Sequence, residues 1–299
     1  MEPFTSTIFF SETKPIILFA MKWIPSTLIN SVLLMAVLLG FQSCVDDKND
    51  IIDRKYQLVW EDAFNGAAGT SPDATKWAYD IGIGPGNDGW GNQELQYYTD
   101  RPENASLDGA GNLAITARSE SFGGRSFTSA RLNTKGIFAQ AYGRFEARIK
   151  MPWGPGIWPA FWMLGENIDQ VSWPQCGEID IMEYRGQEPN LIHGTVHGPG
   201  YSGGASITKS FGFTNDRFDV DFHVFAVEWG VDYIDFFVDD NLYQRLKPED
   251  IPGEWVFNQP FFLILNVAVG GNYVGFPTPQ TPFPQTMLVD YVKVFKEVN

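Results

Sequence analysis

The sequence predicts an all-β fold, because its periodicity is that of strands and its turns are frequent. Short segments alternate apolar and polar residues with period two, and Gly, Pro, Asn and Asp separate them. Examples lie at residues 112–117, 143–150, 233–238 and 288–295. Residues 260–269 are almost wholly apolar, as in a strand buried on both faces, and no long segment has a helical period. Many short strands with turns favour a sandwich or jelly roll.

We expect one domain over residues 56–299, because this part contains no linker, repeat or low-complexity segment. All-β domains often exceed 200 residues, so a chain of 299 residues does not require a second one. The formal net charge is -15, from 36 acidic and 21 basic residues. Such a chain is a poor partner for nucleic acid or sulfated polymers, since phosphate and sulfate binding needs Lys and Arg. A neutral polymer is the easier partner, and we expect a monomer.

The first 43 residues have the pattern of a secretion signal. Residues 28–41 form an apolar stretch that is short for a membrane span, and Lys22 precedes it. Met21 is the start that fits this pattern best. Cys44 follows a small residue and begins an acidic tether over residues 44–55, which resembles the export signal of bacterial surface lipoproteins. We therefore expect a secreted protein with lipid on Cys44, exposed on the bacterial outer membrane; an ordinary cleaved signal is the alternative.

Cysteine usage agrees with this interpretation. The chain has only two cysteines, Cys44 and Cys176. If Cys44 carries lipid, Cys176 has no partner and no internal disulfide forms. The sequence neighbours of Cys176 supply carboxylates, which raise the pKa of a thiol and so do not activate it. We therefore expect Cys176 to be a buried structural residue.

The most informative segment is Gly177-Glu178-Ile-Asp-Ile-Met-Glu183-Tyr184. On a regular strand Glu178 and Asp180 point to one face, whereas Glu183 points to the other. A β-bulge at residues 181–182 brings Glu183 to their face, and bulges often re-aim side chains beside active sites. Crowded carboxylates raise one another's proton affinity, so one acid can stay protonated while another is ionised, as glycoside hydrolysis requires. A metal site and a solvated acidic strand are the alternatives, and the interleaved apolar residues disfavour the second.

The segment Glu178-Ile-Asp-Ile-Met-Glu183 resembles the active-site motif of glycoside hydrolase family 16 in its bulged form. Four more segments are similar to laminarinases of that family, in the usual order: Gly89-Trp-Gly-Asn-Gln-Glu-Leu-Gln-Tyr-Tyr-Thr99, Ser129-Ala-Arg-Leu-Asn-Thr-Lys135, Gly156-Ile-Trp-Pro-Ala-Phe-Trp-Met-Leu-Gly165 and Leu263-Ile-Leu-Asn-Val-Ala-Val-Gly-Gly271. The resemblance implies a β-jelly-roll sandwich of two curved antiparallel sheets with an open substrate cleft. It also implies Glu178 as nucleophile, Glu183 as acid/base and Asp180 as an assisting carboxylate. A retaining enzyme needs the two catalytic carboxyl groups about 5–5.5 Å apart.

Seven further positions are expected in the substrate cleft, mostly by the same resemblance: Asn92, Arg131, Trp158, Trp162, Trp173, His197 and Asn266. For the three tryptophans, stacking on sugar faces and packing in the core are both open. Arg131 can instead pair with a surface carboxylate, and His197 can be an ordinary hydrogen-bonded polar residue. Asn266 interrupts an apolar strand, so its amide needs partners, and a sugar contact is the preferred interpretation.

Many members of the family carry a calcium ion on the face remote from the cleft. Asp290 matches its side-chain ligand, with Glu61 and the Gly111 carbonyl as companions, and Ca²⁺ accepts such mixed oxygen ligands. No cofactor is expected for catalysis, and no Gly-rich phosphate loop lies at a strand–helix junction. Two departures from the family pattern affect the cleft ends: the bulky Trp153 and the Gly/Ser-rich residues 198–213, which we expect to form a cleft-side loop.

The sequence thus predicts a retaining endo-hydrolase of β-1,3-glucosidic bonds in laminarin-type glucans. Mixed-linkage β-1,3-1,4-glucan and algal galactans are alternative substrates, since agarases and carrageenases share the bulged motif by family resemblance. The segment Trp90-Gly-Asn-Gln-Glu-Leu-Gln96 favours laminarin. A non-catalytic glucan-binding protein on this fold is expected to lose a catalytic carboxylate, and all three are present. A scaffold or adhesion lipoprotein leaves the crowded carboxylates without a purpose.

Overall fold

The computed structural model describes residues 53–298. The predicted signal region, with Met21, Cys44 and the tether up to residue 52, lies outside the described residues. Within them, no helix is long and apolar enough to cross a membrane.

Strands make up nearly all of the regular secondary structure in the described part of the chain; one short α-helix, α1 (Ile168–Val171), and brief helical turns at residues 89–93, 203–205 and 248–250 are the other elements. The strands, in chain order, are β1 (Lys55–Asp62), β2 (Ala78–Tyr79), β3 (Gln96–Tyr98), β4 (Ala105–Leu107), β5 (Leu113–Phe122), β6 (Arg125–Ser129), β7 (Arg131–Asn133), β8 (Gly143–Lys150), β9 (Ile157–Gly165), β10 (Glu178–Glu183), β11 (Leu191–His197), β12 (Ile207–Gly212), β13 (His223–Trp229), β14 (Ile234–Val238), β15 (Asn241–Leu246), β16 (Phe261–Val269) and β17 (Gln285–Val298).

These strands form two sheets. Sheet A runs β15-β14-β13-β8-β17-β5-β6-β3, with β1 beside β17 and β4 beside β5; sheet B runs β12-β11-β10-β9-β16-β7-β2. The pairs are antiparallel, with the exception of the parallel pair β3 and β6. Many neighbours in the sheets are distant in sequence, such as β16 between β9 and β7. The predicted all-β jelly-roll sandwich is confirmed.

The predicted strands lie where the periodicity placed them. In β8, buried and half-buried residues alternate along all eight positions. In β16, all nine residues are buried, as expected of an apolar segment covered on both faces. The core forms where the two sheets face each other, and it includes Phe145 and Val227 of sheet A and Phe161, Ile179 and Leu265 of sheet B. Burying each such side chain stabilises the fold by about 1.5–3 kcal/mol.

One glycine allows the chain to enter β10 in the required direction. Gly177 has a φ of +77°, a conformation that costs other residues energy, and it directly precedes Glu178. A Cβ at this position would lie 2.8 Å from Phe261 Cζ, which is closer than van der Waals contact permits. The backbone therefore approaches the core closely at the start of β10, and Glu178 begins the strand on the opposite face.

The register of sheet B collects polar residues on its face away from the core. Glu183 of β10 pairs with His193 of β11 on one side and with Ala160 of β9 on the other. Ala160 pairs with Asn266 of β16, which in turn pairs with Arg131 of β7. Because directly paired residues point to the same face of a sheet, these side chains form one row across five strands. We call this face of sheet B the cleft face.

Candidate active site

A β-bulge in β10 brings three carboxylates to the cleft face. Asp180 pairs with Trp162 of β9, but Met182 already pairs with Phe161, so Ile181 is one residue too many for the ladder. The register with β11 shifts over the same interval, between Asp180 and Glu183. The predicted bulge at residues 181–182 is confirmed, and it turns Glu183 to the face of Glu178 and Asp180.

Glu178 is held by an indole and faces a histidine. Trp173 Nε1–H donates to Glu178 Oε2 at 2.7 Å. His197 Nε2 lies 3.7 Å from Glu178 Oε1 and 3.1 Å from Asp180 Oδ2. The indole N–H and the imidazole both favour the carboxylate form of Glu178, as a nucleophile requires.

Glu183 has its own pair of donors. Trp158 Nε1–H donates to Glu183 Oε1 and the Thr195 hydroxyl donates to Glu183 Oε2, both at 3.2 Å. Thr195 is held in turn by Thr208 of the next strand, with 3.0 Å between the two hydroxyl oxygens. These contacts fix the orientation of Glu183 while leaving its environment largely desolvated, because only 8% of the residue is exposed.

The electrostatics of the three carboxylates suit acid/base chemistry near neutral pH. Burial, together with the neighbouring Asp180 charge, raises the pKa of Glu178 to about 8. Burial likewise raises the pKa of Glu183 to about 7 and holds the pKa of Asp180 well above its usual range, with the Glu183 charge acting in the same direction. Because the three groups interact, their protons dissociate as a set. The pKa of Glu178 is no lower than that of Glu183, so the assignment of Glu178 as nucleophile rests on its place in the motif and not on the order of the two pKa values.

Two predicted cleft residues, Arg131 and Trp162, form one side of the cleft face. Arg131 Nε lies 2.9 Å from Asp80 Oδ2, and its guanidinium lies over the rings of Trp90 and Trp162, 4.4 and 4.8 Å from their centroids. Both expected alternatives for Arg131 therefore hold in part, because it pairs with a carboxylate and also lies on the cleft face. The stacked guanidinium orders the aromatic rings, which can then offer a rigid surface to a sugar.

Asn266, which the sequence predicted to contact sugar, forms hydrogen bonds within the protein instead. Its Oδ1 accepts from Trp162 Nε1–H at 2.7 Å, and its Nδ2 donates to the Tyr98 hydroxyl at 3.1 Å. The residue is 6% exposed. Its buried amide therefore finds its hydrogen-bond partners within the protein, and it orients Trp162. The three predicted tryptophans differ in position. Trp158 and Trp173 donate hydrogen bonds to Glu183 and Glu178, respectively, whereas Trp162 lies between Asn266 and Arg131.

A buried carboxylate, Glu94, was not singled out in the sequence although it lies in one of the quoted segments. Only 5% of Glu94 is exposed. It accepts from Gln96 Nε2 at 2.6 Å, from the Tyr98 hydroxyl at 3.2 Å and from Asn92 Nδ2 at 3.3 Å. Burial raises the pKa of Glu94, and the Arg131 charge opposes that rise. The available signal was its position among Asn92, Gln96 and Tyr98, all of which carry hydrogen-bond donors.

The residues expected to hold calcium lie away from the cleft. β17 pairs with β5 up to Val289 and with β1 from Val292 onwards, so Asp290 lies where the strand changes partner. Gly111 precedes β5 at the same end of that pairing. Glu61 pairs with Lys293, three residues or about 10 Å along the strand from Asp290. Asp290 Oδ2 is 2.6 Å from Arg148 Nη1.

The cleft itself contains a group of possible metal ligands. Oxygen and nitrogen atoms of Glu178, Asp180 and His197 all lie within 4.8 Å of one another. The same three residues are the ones expected around a glycosidase nucleophile. The same cluster therefore fits both a metal site and a glycosidase active site.

Comparison with known proteins decides between these interpretations. Residues 90–293 match the family described as Glycosyl hydrolases family 16. The chain belongs to this family. A β-glucanase of Rhodothermus marinus is 43% identical over 276 residues, which is 89% of this chain and 94% of that protein. Family 16 glycosidases need no cofactor for catalysis.

Two solved structures extend the similarity to the fold. The laminarinase catalytic domain of Thermotoga maritima MSB8 is 47% identical, with a TM-score of 0.77 over 82% of this chain and 99% of that chain. The endo-β-1,3-glucanase of Pyrococcus furiosus is 44% identical, with a TM-score of 0.78 over 84% of this chain and 99% of that chain. This family 16 chain is therefore a glycoside hydrolase with the fold of laminarinases.

Proposed function

We propose that this family 16 enzyme cleaves internal β-1,3-glucosidic bonds of laminarin-type β-glucans with retention of anomeric configuration. The observation that carries the proposal is the bulged strand β10, which puts Glu178 and Glu183 on one face with a hydrogen-bond donor on each. The similarity to laminarinases and endo-β-1,3-glucanases supports the choice of linkage. One chain supplies all these residues, in agreement with action as a monomer.

The reaction follows from the two carboxyl groups. In the first step Glu178 attacks C1 of the bound sugar while Glu183 gives its proton to the glycosidic oxygen, and the aglycone leaves. The product is a glycosyl ester of Glu178. In the second step Glu183, now a carboxylate, takes a proton from water, and the resulting hydroxide attacks C1 and releases Glu178. Two inversions give net retention, and Asp180 is the assisting carboxylate between the two catalytic groups.

Product analysis tests the substrate. The secreted chain is incubated with laminarin, mixed-linkage β-1,3-1,4-glucan and agarose, with Glu178→Ser as the inactive control. We expect short oligosaccharides from laminarin that the variant does not produce. Faster cleavage of mixed-linkage glucan or agarose would assign an alternative substrate. No cleavage of any polymer, with laminarin still bound, would favour a glucan-binding protein.

We propose further that Cys44 carries lipid and anchors the enzyme at the bacterial surface. The support is the sequence alone: an apolar segment, a small residue before Cys44 and an acidic tether after it. The enzyme expressed in a bacterial host should partition with membranes and be accessible to protease on intact cells. Cys44→Ala should release it into the soluble fraction; equal membrane association of both forms would contradict the anchor.

A structural calcium ion is the last part of the proposal. The Asp290 carboxylate and the Gly111 carbonyl are oxygen ligands of the kind that Ca²⁺ accepts, whereas Arg148 competes for one Asp290 oxygen. A bound ion would stabilise the position at which β17 stops pairing with β5 and begins to pair with β1. Adding Ca²⁺ to chelator-treated enzyme should raise Tm, and Asp290→Ala should abolish the rise. An unchanged Tm in the unaltered enzyme would contradict the site.

A further inference from the structure

The Gly/Ser-rich segment after β11 folds back over the end of that strand. Gly198 and Tyr201 exchange two backbone hydrogen bonds, each of 3.0 Å. The Tyr201 side chain is fully buried, and its hydroxyl donates to the Glu254 carbonyl at 2.7 Å. Residues 198–206 therefore form a loop with a fixed anchor, which we call the Tyr201 loop. The cleft-side loop expected over residues 198–213 is thus shorter than predicted, because residues 207–212 form the strand β12.

The Tyr201 loop reaches a residue of the active site through one backbone group. The Gly203 N–H donates to His197 Nδ1 at 3.1 Å. A backbone N–H can only donate, so Nδ1 must be the ring nitrogen without a proton. A neutral imidazole then carries its proton on Nε2. That nitrogen lies 3.1 Å from Asp180 Oδ2 and 3.7 Å from Glu178 Oε1.

We propose that the Tyr201 loop fixes the tautomer of His197, so that the ring proton lies on Nε2, the nitrogen nearest to Asp180 and Glu178. His197 is thereby a positioning residue, and the Gly203 amide sets which ring nitrogen carries the proton. A proton on Nδ1 would place two N–H groups against each other and break the contact with the loop.

The tautomer of His197 matters because of the groups that face it. Glu178 and Asp180 lie within 4 Å of Nε2, and the Trp173 ring centroid lies 5.9 Å from that of His197. With the proton on Nδ1, Nε2 would instead present a lone pair to two carboxyl groups. The loop therefore keeps a donor, rather than an acceptor, beside the nucleophile.

Nitrogen NMR tests the tautomer without reference to activity. The whole chain contains three histidines, His193, His197 and His223, so a histidine-labelled sample gives few ring signals. His197→Gln assigns the signals of His197 by their loss. At neutral pH we expect a protonated Nε2 and an unprotonated Nδ1. A protonated Nδ1, an equal mixture of tautomers or an imidazolium would overturn the proposal.

Kinetics test the link between the loop and the reaction. Gly203→Pro removes the N–H, and the φ of +56° at this position also excludes proline from the present conformation, so the contact is lost. Gly204→Ala is the matched control, because it keeps every N–H and no atom lies within 4 Å of the added Cβ. We expect kcat for laminarin to fall about tenfold or more, and the nitrogen signals of His197 to show a mixture of tautomers, in Gly203→Pro only.

The kinetic and spectroscopic results separate the possible failures. An unchanged kcat and an unchanged tautomer in a folded Gly203→Pro variant would overturn the role of the loop. If that variant does not fold, the NMR measurement on the unaltered chain still decides the tautomer. The kinetic arm rests on the proposed hydrolase function, whereas the NMR arm does not. An inactive enzyme with the expected tautomer would therefore count against the proposed function alone.

Discussion

The carboxylates of sheet A and those of the cleft face of sheet B lie in opposite electrostatic environments. On the face of sheet A away from the core, Glu146 and Glu228 accept from Arg144 at 2.7 and 3.1 Å, and Asp235 accepts twice from Arg245. On the cleft face, no Lys or Arg nitrogen of residues 53–298 forms an ion pair with Glu178, Asp180 or Glu183; His197, indole N–H groups and a hydroxyl take that place.

The difference separates stability from chemistry. Removing one partner of a buried carboxylate–arginine pair destabilises the fold, because it leaves an uncompensated charge. A carboxylate among neutral donors keeps a raised pKa, so it can exchange protons at neutral pH. Changes on the cleft face should therefore alter rates, and changes on sheet A should alter stability.

The largest expected effect is the loss of the nucleophile. Glu178→Gln keeps the shape of the side chain and removes the oxygen that attacks C1. We expect hydrolysis of laminarin to fall at least about 10⁴-fold. Reducing-sugar release over hours measures it, and Glu103→Gln, which changes an exposed carboxylate, serves as the matched control. A loss below about tenfold would exclude Glu178 as nucleophile.

Loss of the acid/base should depend on the leaving group. Glu183→Gln cannot protonate the glycosidic oxygen, and we expect a loss of about 10²–10⁴-fold on laminarin. An aryl β-glucan oligosaccharide releases a phenolate that needs little protonation, so its first step should lose far less. Burst kinetics on the aryl substrate measure that step. Equal losses on both substrates would indicate a role for Glu183 other than proton transfer.

A smaller effect is expected from Glu94, the buried carboxylate beside Arg131. Glu94→Gln removes the negative charge near Arg131. It also places an amide N–H where the side chains of Asn92 and Gln96 already donate to the carboxylate. We expect KM for laminarin oligosaccharides to rise about tenfold, roughly 1.4 kcal/mol of binding, with kcat changed less. Initial rates against chain length measure both constants. A fall in kcat with an unchanged KM would contradict a positioning role.

The smallest effects concern stability and should have opposite signs on the two sheets. Arg144→Met leaves Glu146 without its arginine partner and Glu228 with Arg54 alone, and it should cost about 2 kcal/mol, a fall in Tm of about 4–8 °C, with kcat unchanged. Glu178→Gln should instead raise Tm by about 3–6 °C at pH 8.

The sign of the second shift follows from the pKa. Glu178 titrates near 4.5 when unfolded and at about 8 when folded, so the folded state binds more protons between these values. Stability therefore falls as pH rises from about 4.5 to 8, and Gln removes this loss. Tm of the enzyme and both variants, measured at pH 5 and pH 8, checks the contrast. Equal shifts at the two pH values would contradict it.

Much of the fold follows from local patterns. Alternation along β8 and the continuous apolar run of β16 identify these strands, because burial of one or both faces depends only on side-chain polarity. The bulge in β10 also follows, since Glu183 reaches the face of Glu178 only with one extra residue. The strand order could not be predicted, because it depends on contacts between distant segments such as β16 with β7.

The site shows the same division between local and distant information. The three carboxylates lie within six residues of one strand, so their common face could be derived. Asn266 and Glu94 could not be placed in the same way, since their partners Trp162, Tyr98 and Arg131 come from other strands. A buried polar residue demands partners, but sequence alone does not distinguish a protein partner from a sugar hydroxyl.

The most direct test of the account is the anomeric configuration of the first product. Proton NMR follows laminarin hydrolysis by the unaltered enzyme within the first minutes, before mutarotation mixes the anomers. The account predicts that the β-anomer appears first and the α-anomer follows slowly, as double displacement through Glu178 requires. Initial release of the α-anomer would mean single displacement by water, and it would contradict the assignment of Glu178 as nucleophile.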